Sequence, residues 1–227
     1  MYPGLQCLAA LLCSIASLAA AATNAPVKEL AGGRLQIGQV TLDPKAKTVS
    51  FPALVNMRTG LVEYAVVTTS GKVHESVFKT DAEPFHIHTA MLLLGAKVAT
   101  NVDSAIFFDP TREIPGSKLK IEVFIPGPNL RTNLMDRFVQ NAQDKTPRAN
   151  HIPQIPFWIY NGSRTSDGVF LAQREGSIVS LIADPAALIN NPRQDRENDE
   201  LWSANTAEVP EVDTPVELRM TLSDEKR

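Results

Sequence analysis

The runs of β-branched and aromatic residues in this chain follow one another directly, with no long helical segments between them. Such runs suit strands. They read as Arg34 to Val40, Thr48 to Val55, Val62 to Thr69, Lys72 to Phe78, Asp103 to Phe108, Leu119 to Ile125, Phe157 to Tyr160, Gly168 to Gln173, Ser177 to Ala183 and Val216 to Leu222. Leu119, Ile121, Val123 and Ile125 alternate cleanly, which places them on one face of a strand. Pro52 inside the second run marks an edge or a bulge, because proline has no N–H for a ladder. Sixteen prolines and twelve glycines supply the turns. Short helices are expected at Pro84 to Leu94, Leu134 to Gln140 and after Asp184-Pro185. The class is therefore α+β: β-rich, with mostly antiparallel sheets and two or three short helices.

Residues 1–22 read as a cleaved signal peptide. The run Leu8 to Ala22 carries no charge and ends in Ala20-Ala21-Ala22, which suits a small-residue cleavage site, with the mature chain starting near Thr23. It is short for a membrane span. Residues 23–227 then form a single domain, exported to the periplasm or secreted, with no transmembrane span in the mature chain. Both cysteines, Cys7 and Cys13, fall in the leader. The mature chain thus has no disulfide, no thiolate metal site, no iron–sulfur cluster and no cysteine nucleophile. A formal net charge of −3 argues against a nucleic-acid partner.

The densest polar chemistry lies between Gly71 and Gly95, which hold three of the four histidines. Ser70-Gly71 reads as a hairpin turn pairing Tyr64 with Val77 and Val66 with Glu75. Glu75 then sits among apolar neighbours and needs a partner, from His86, His88 or helix N-terminal amides. His74, Glu75, His86 and His88 form a candidate set for a divalent metal, because imidazole and carboxylate are its ligands. Glu83 lies beside them. If His86 and His88 fall within a helix, however, residues two apart do not share a face. Alternatively the histidines cap and pack the helix start. Ser76, next to His74-Glu75, lacks the surroundings of a serine nucleophile.

A second polar stretch runs from Asn190 to Trp202. Asp195, Glu197 and Asp199 could line an extended loop and hold calcium, with Arg193 and Arg196 competing as internal counter-ions. Alternatively this is a surface loop tied by its own salt bridges and anchored by Trp202. No phosphate-binding loop, dinucleotide fingerprint or metalloprotease pattern is present.

The segments Val49 to Asn56, Leu61 to Tyr64, Gly71 to Ser76 and Ile87-His88 into Leu92-Leu93-Leu94-Gly95 resemble the YdjY-domain family. The resemblance spans roughly Leu30 to Leu222 and extends to Asp184-Pro185 and Pro192 to Trp202. It implies an exported bacterial protein of uncharacterised function. Some relatives carry a ferredoxin-type label, but the missing cysteines keep that cluster from being carried over. Two readings follow. One is a non-catalytic envelope domain binding a small ligand or another envelope protein. The other is a metal-binding protein or metal-dependent hydrolase built on His74, Glu75, His86 and His88.

Overall fold

The computed structural model describes residues 26–99, 102–128, 130–143 and 155–223. The signal peptide expected at residues 1–22 and its expected cleavage site lie outside the described residues. Strands β1 (Val27–Leu30), β2 (Arg34–Ile37) and β3 (Val40–Asp43) lead into the long β4 (Thr48–Val55). Strands β5 (Tyr64–Thr68) and β6 (Ser76–Thr80) precede helix α1 (Pro84–Leu93) and the single turn α2 (Ala105–Phe108). Then come β7 (Ser117–Ile125), β8 (Arg131–Leu134), β9 (Val139–Asn141) and β10 (Trp158–Tyr160). A small hairpin, β11 (Thr165–Ser166) with β12 (Val169–Phe170), runs into helix α3 (Leu171–Glu175). The chain finishes with β13 (Ser177–Ser180), β14 (Ile189–Asn190), β15 (Trp202–Ala204) and β16 (Pro215–Leu222).

The chain is β-rich with short helices, as its sequence implies, but the main sheet closes on itself. In order β4, β16, β7, β10, β14, β13, β5 and β6 form a ring, and β6 pairs back to β4 through Leu54–Lys79 and Val55–Phe78. Closure removes the exposed edges that an open sheet would present. An eight-stranded barrel is just wide enough to be filled by side chains. Here Val49, Phe51, Ala53 and Val55 of β4, Leu119, Ile121, Val123 and Ile125 of β7, and Val216, Leu218 and Met220 of β16 are all buried in the main core. The period-two pattern of these strands is thus the barrel's inside-outside pattern.

Pro52 sits where β4 changes partner. One flank of β4 pairs with β3 through Thr48–Ser50 and with β6 from Leu54 onward. Pro52 lies in the gap, and its carbonyl accepts from Thr80 Oγ1 at 2.6 Å instead of from a ladder. The missing N–H therefore leaves nothing unpaired. The strands β1 to β3 branch from this point as an arm hydrogen-bonded to the first half of β4.

The expected hairpin at Ser70-Gly71 is not formed. β5 and β6 are neighbours but parallel, with Tyr64 opposite Ser76 and Val66 opposite Phe78. A 3₁₀ turn at Val73–Glu75 brings the chain back. Parallel neighbours usually need a longer crossover. These strands are only five residues long, and a connection of about seven residues reaches roughly 23 Å, enough to return over them. All five residues of β5 are buried, so it is covered on both faces rather than one. Gly71 is needed for space, not for a turn. A Cβ there would stand 3.1 Å from the Glu175 carbonyl oxygen.

Other local expectations shift for similar reasons. Asp103 to Phe108 forms no strand but includes the turn α2, started by the Asp103 carboxylate accepting from Ala105 N–H at 3.0 Å. Gly168 to Gln173 is not a single strand, because Leu171 to Glu175 are good helix formers and make α3. Leu134 to Gln140 is one 3₁₀ turn, Met135–Phe138, running into β9. After Asp184-Pro185 comes a turn and then β14 rather than a helix. Helix α1 forms as expected, with Pro84 in its first turn and Gly95 just beyond its end.

Candidate functional site

The structure disperses the residues around His74. His74 is exposed at the 3₁₀ turn, with Nε2 3.6 Å from the Glu75 carboxylate. Glu75 is not enclosed by apolar strand neighbours. It is partly exposed, 3.6 Å from Lys72 Nζ, and it faces the Glu63 carboxyl closely enough to share a proton. Burial, then repulsion from Glu75, holds the Glu63 carboxyl above its ordinary range. Lys72 also donates to the Tyr64 hydroxyl at 2.9 Å, and that hydroxyl donates to Asp184 Oδ2 at 3.0 Å. Ser76 is buried, with Oγ donating to the Phe78 carbonyl at 2.8 Å.

His86 and His88 both lie on α1 but face different surroundings, as a two-residue helical spacing requires. His86 is buried under Gly38, where a Cβ would come within 2.4 Å of its Nδ1. Among the described residues, no three His, Cys, Asp or Glu side chains are grouped to hold a metal.

The loop of Asp195, Glu197 and Asp199 is tied down by arginines. Arg193 clasps Asp195 with two nitrogens and lies over the Trp202 ring. Glu197 and Asp199 are exposed. Trp202 is 1 % exposed and anchors the loop through β15, as one sequence reading expects, although its indole N–H has no partner among the described residues. Arg196 is not a counter-ion to these acids. It is 1 % exposed, and its guanidinium donates to the carbonyls of Ile106, Phe107, Asp109, Arg112 and Arg193.

Of all the sequence candidates, His88 has the setting of a site. It lines a cleft of about 700 Å³ with Phe85, Val98, Val102, Arg164 and Phe170. Its ring packs against Phe170 at a centroid distance of 4.9 Å. Behind it, the Tyr160 hydroxyl lies 2.7 Å from Nδ1. Burial lowers the basicity of His88 and raises the Tyr160 hydroxyl out of reach of titration near neutrality. Both groups are then uncharged at pH 7. The hydroxyl also lies 3.4 Å from the His88 carbonyl. In the tautomer in which the hydroxyl donates to Nδ1, its shorter contact, Nε2 carries the ring hydrogen as a donor.

The floor of the cleft is a strained loop. Gly162 has φ +82°, and a Cβ there would meet Val98 Cγ1 at 2.5 Å, so glycine is required twice over. Ser163 follows at φ +61°, a costly conformation for a residue with a side chain. Its Oγ donates to the Ala186 carbonyl and accepts from Ala172 N–H, which holds it there. Asp167 and Gly168, at φ +51° and +77°, make the tight turn that folds β11 and β12 beside the cleft. Phe85, Tyr160, Arg164 and Phe170 were not singled out by sequence reasoning. The only local hints were the aromatic strand and the turn at Asn161-Gly162 that follows it.

No curated protein and no solved structure matches the chain. Within the described residues, no helix is long and apolar enough to cross a membrane. The YdjY domain family matches residues 40–221, a span that runs from β3 to β16 and takes in every strand of the barrel and the whole His88 cleft, and the chain belongs to that family.

Proposed function

We propose that this is an exported, non-catalytic binding domain of the bacterial cell envelope, and that its ligand enters the His88 cleft. The observation that carries this reading is the cleft itself. It is large enough for a small organic ligand, mostly aromatic and aliphatic in its walls, with one half-buried histidine aimed by a buried tyrosine. A hydrolase would need a nucleophile or a grouped metal set beside that histidine. Ser163, the hydroxyl nearest in the loop, is committed to Ala186 and Ala172. The metal-dependent alternative through His74, Glu75, His86 and His88 has no grouped donors to rest on among the described residues. The uncharged leader supports export, which the intact mass of secreted protein tests, with Thr23 as the expected first residue.

The test of the cleft uses a neutral apolar fluorophore, N-phenylnaphthylamine. The wild type is expected to bind it with a rise in emission. Val102→Trp fills the cleft from its wall and is expected to abolish that rise while circular dichroism stays unchanged. Equal emission from both proteins would remove the cleft as the site.

A further inference from the structure

The chemistry lining the cleft narrows the class of ligand beyond the binding reading on which this step rests. Among the described residues no Asp or Glu lines it, and Arg164 is the one charged side chain that does. Asp167, at the tip of the neighbouring hairpin, is exposed and does not line it. Arg164 is exposed at the rim, and its Nη1 donates to Ser104 Oγ, which gives the guanidinium one fixed contact there. His88 has Nδ1 against the Tyr160 hydroxyl at 2.7 Å, and in the tautomer in which Nδ1 accepts, Nε2–H is left as a donor. The cleft thus offers one full positive charge and one neutral donor. That pairing matches one oxyanion of a single charge better than a dianion, which would bring an unmatched negative charge into a half-enclosed space.

Ser163 and Thr165 add hydroxyls to one part of the wall, while Phe85, Val98, Ala99, Val102 and Phe170 make an apolar part that continues outward. Leu92 is four residues beyond His88 on α1, hence on the same helix face, and it is 43 % exposed. Val169, between the lining residues Gly168 and Phe170, is 41 % exposed. Helix α1 also exposes Leu93, so this end of the helix shows solvent an apolar surface that the barrel core does not use. A short acid such as acetate would fill little of a cavity of about 700 Å³. A chain or ring system attached to the acid would cover Phe85, Val98, Val102 and Phe170 and leave along Leu92.

We infer that the ligand is a monoanionic amphiphile, a medium-chain or aryl carboxylate, whose carboxylate is held by Arg164 and His88 Nε2 and whose apolar body lies on Phe85, Val98, Val102 and Phe170. Hydrogen bonding to the charged form is the stronger kind and gives selection for the acid over an alcohol of equal length.

Isothermal titration of the full mature chain at pH 7.5 with decanoate, decanol and acetate tests this. Decanoate is expected to bind at least tenfold more tightly than decanol, with acetate undetected. Arg164→Gln is expected to bring the decanoate-to-decanol ratio below threefold, a readout that loss of fold alone would not produce. His88→Phe, which keeps a ring on Phe170 but removes the donor, is expected to lower the same ratio. A wild-type ratio near one, or a ratio unmoved by Arg164→Gln, would overturn the ligand class. The two readings fail separately. If N-phenylnaphthylamine responds to Val102→Trp but decanoate shows no preference over decanol, the cleft stands and the carboxylate falls. If the fluorophore ignores Val102→Trp, both fall.

Discussion

At the scale of single residues, the least comfortable group among those described around the 3₁₀ turn is Glu63. It is partly withdrawn from water and faces Glu75, with Asp199 adding repulsion and Lys72 offsetting only part of it. Its folded-state affinity for a proton is therefore above the ordinary glutamate value of 4.5. The linkage has a definite sign. A carboxyl whose folded pKa is raised favours the folded state while protonated, and that contribution is lost as pH rises from 4.5 through the folded value. Glu63→Gln removes the titration and keeps the amide able to bond Glu75. The variant is expected to have a higher urea midpoint than the wild type at pH 7.5, and the gap is expected to close by pH 4.5. A lower midpoint at pH 7.5, or a gap that widens in acid, would contradict the pairing of these two carboxyls. Glu75 is partly exposed and stands beside Lys72, His74 and Glu63 instead of among the apolar strand neighbours that the hairpin register implies.

At the scale of elements, Arg196 does for α2 and the following turn what a strand does elsewhere. Four of its five carbonyl acceptors lie between Ile106 and Arg112, so one side chain holds a segment whose own ladder is a single turn. Lysine at this position has one ammonium point and cannot reach this fan of acceptors. Arg196→Lys is expected to cost about 3 kcal/mol or more in urea unfolding, because buried carbonyls lose charged donors. A change within about 0.5 kcal/mol would show the contacts to be incidental. The sequence reading placed Arg196 among counter-ions because acids flank it on both sides. Nothing local shows that its partners are backbone atoms some eighty residues away. The same limit runs through the elements. The alternation of β7 was readable because one of its faces is buried and the other more open. β5 was misread because it is covered on both faces, and an apolar run of that kind does not say which way its neighbour points. His88 was readable as a candidate. Its site was not, because His88 meets Tyr160 and Phe170 only when α1 docks against the barrel.

At the scale of the whole molecule, the barrel is closed by a short seam. β6 meets β4 through two residue pairs, and Phe78 stands in one of them, fully buried and packed edge-on against Phe138 at 5.3 Å. Phe78→Ala is expected to cost about 3–5 kcal/mol, as large-to-small changes in a filled core do. Unfolding is expected to stay a single transition by fluorescence and by circular dichroism, since every strand of the ring shares one core. Two separated transitions would mean that the ring and its arm are independent units.

The position of β16 has a consequence in time. Encoded last among the described strands, it lies between β4 and β7, two strands encoded far earlier. A chain emerging from the ribosome carries β4 and β7 long before it carries the segment that joins them. At ordinary synthesis rates that wait is on the order of ten to thirty seconds. Throughout it the ring has a missing stave, and the apolar faces of both strands lack their shared neighbour. The ring of eight strands cannot close until residue 222 has been made.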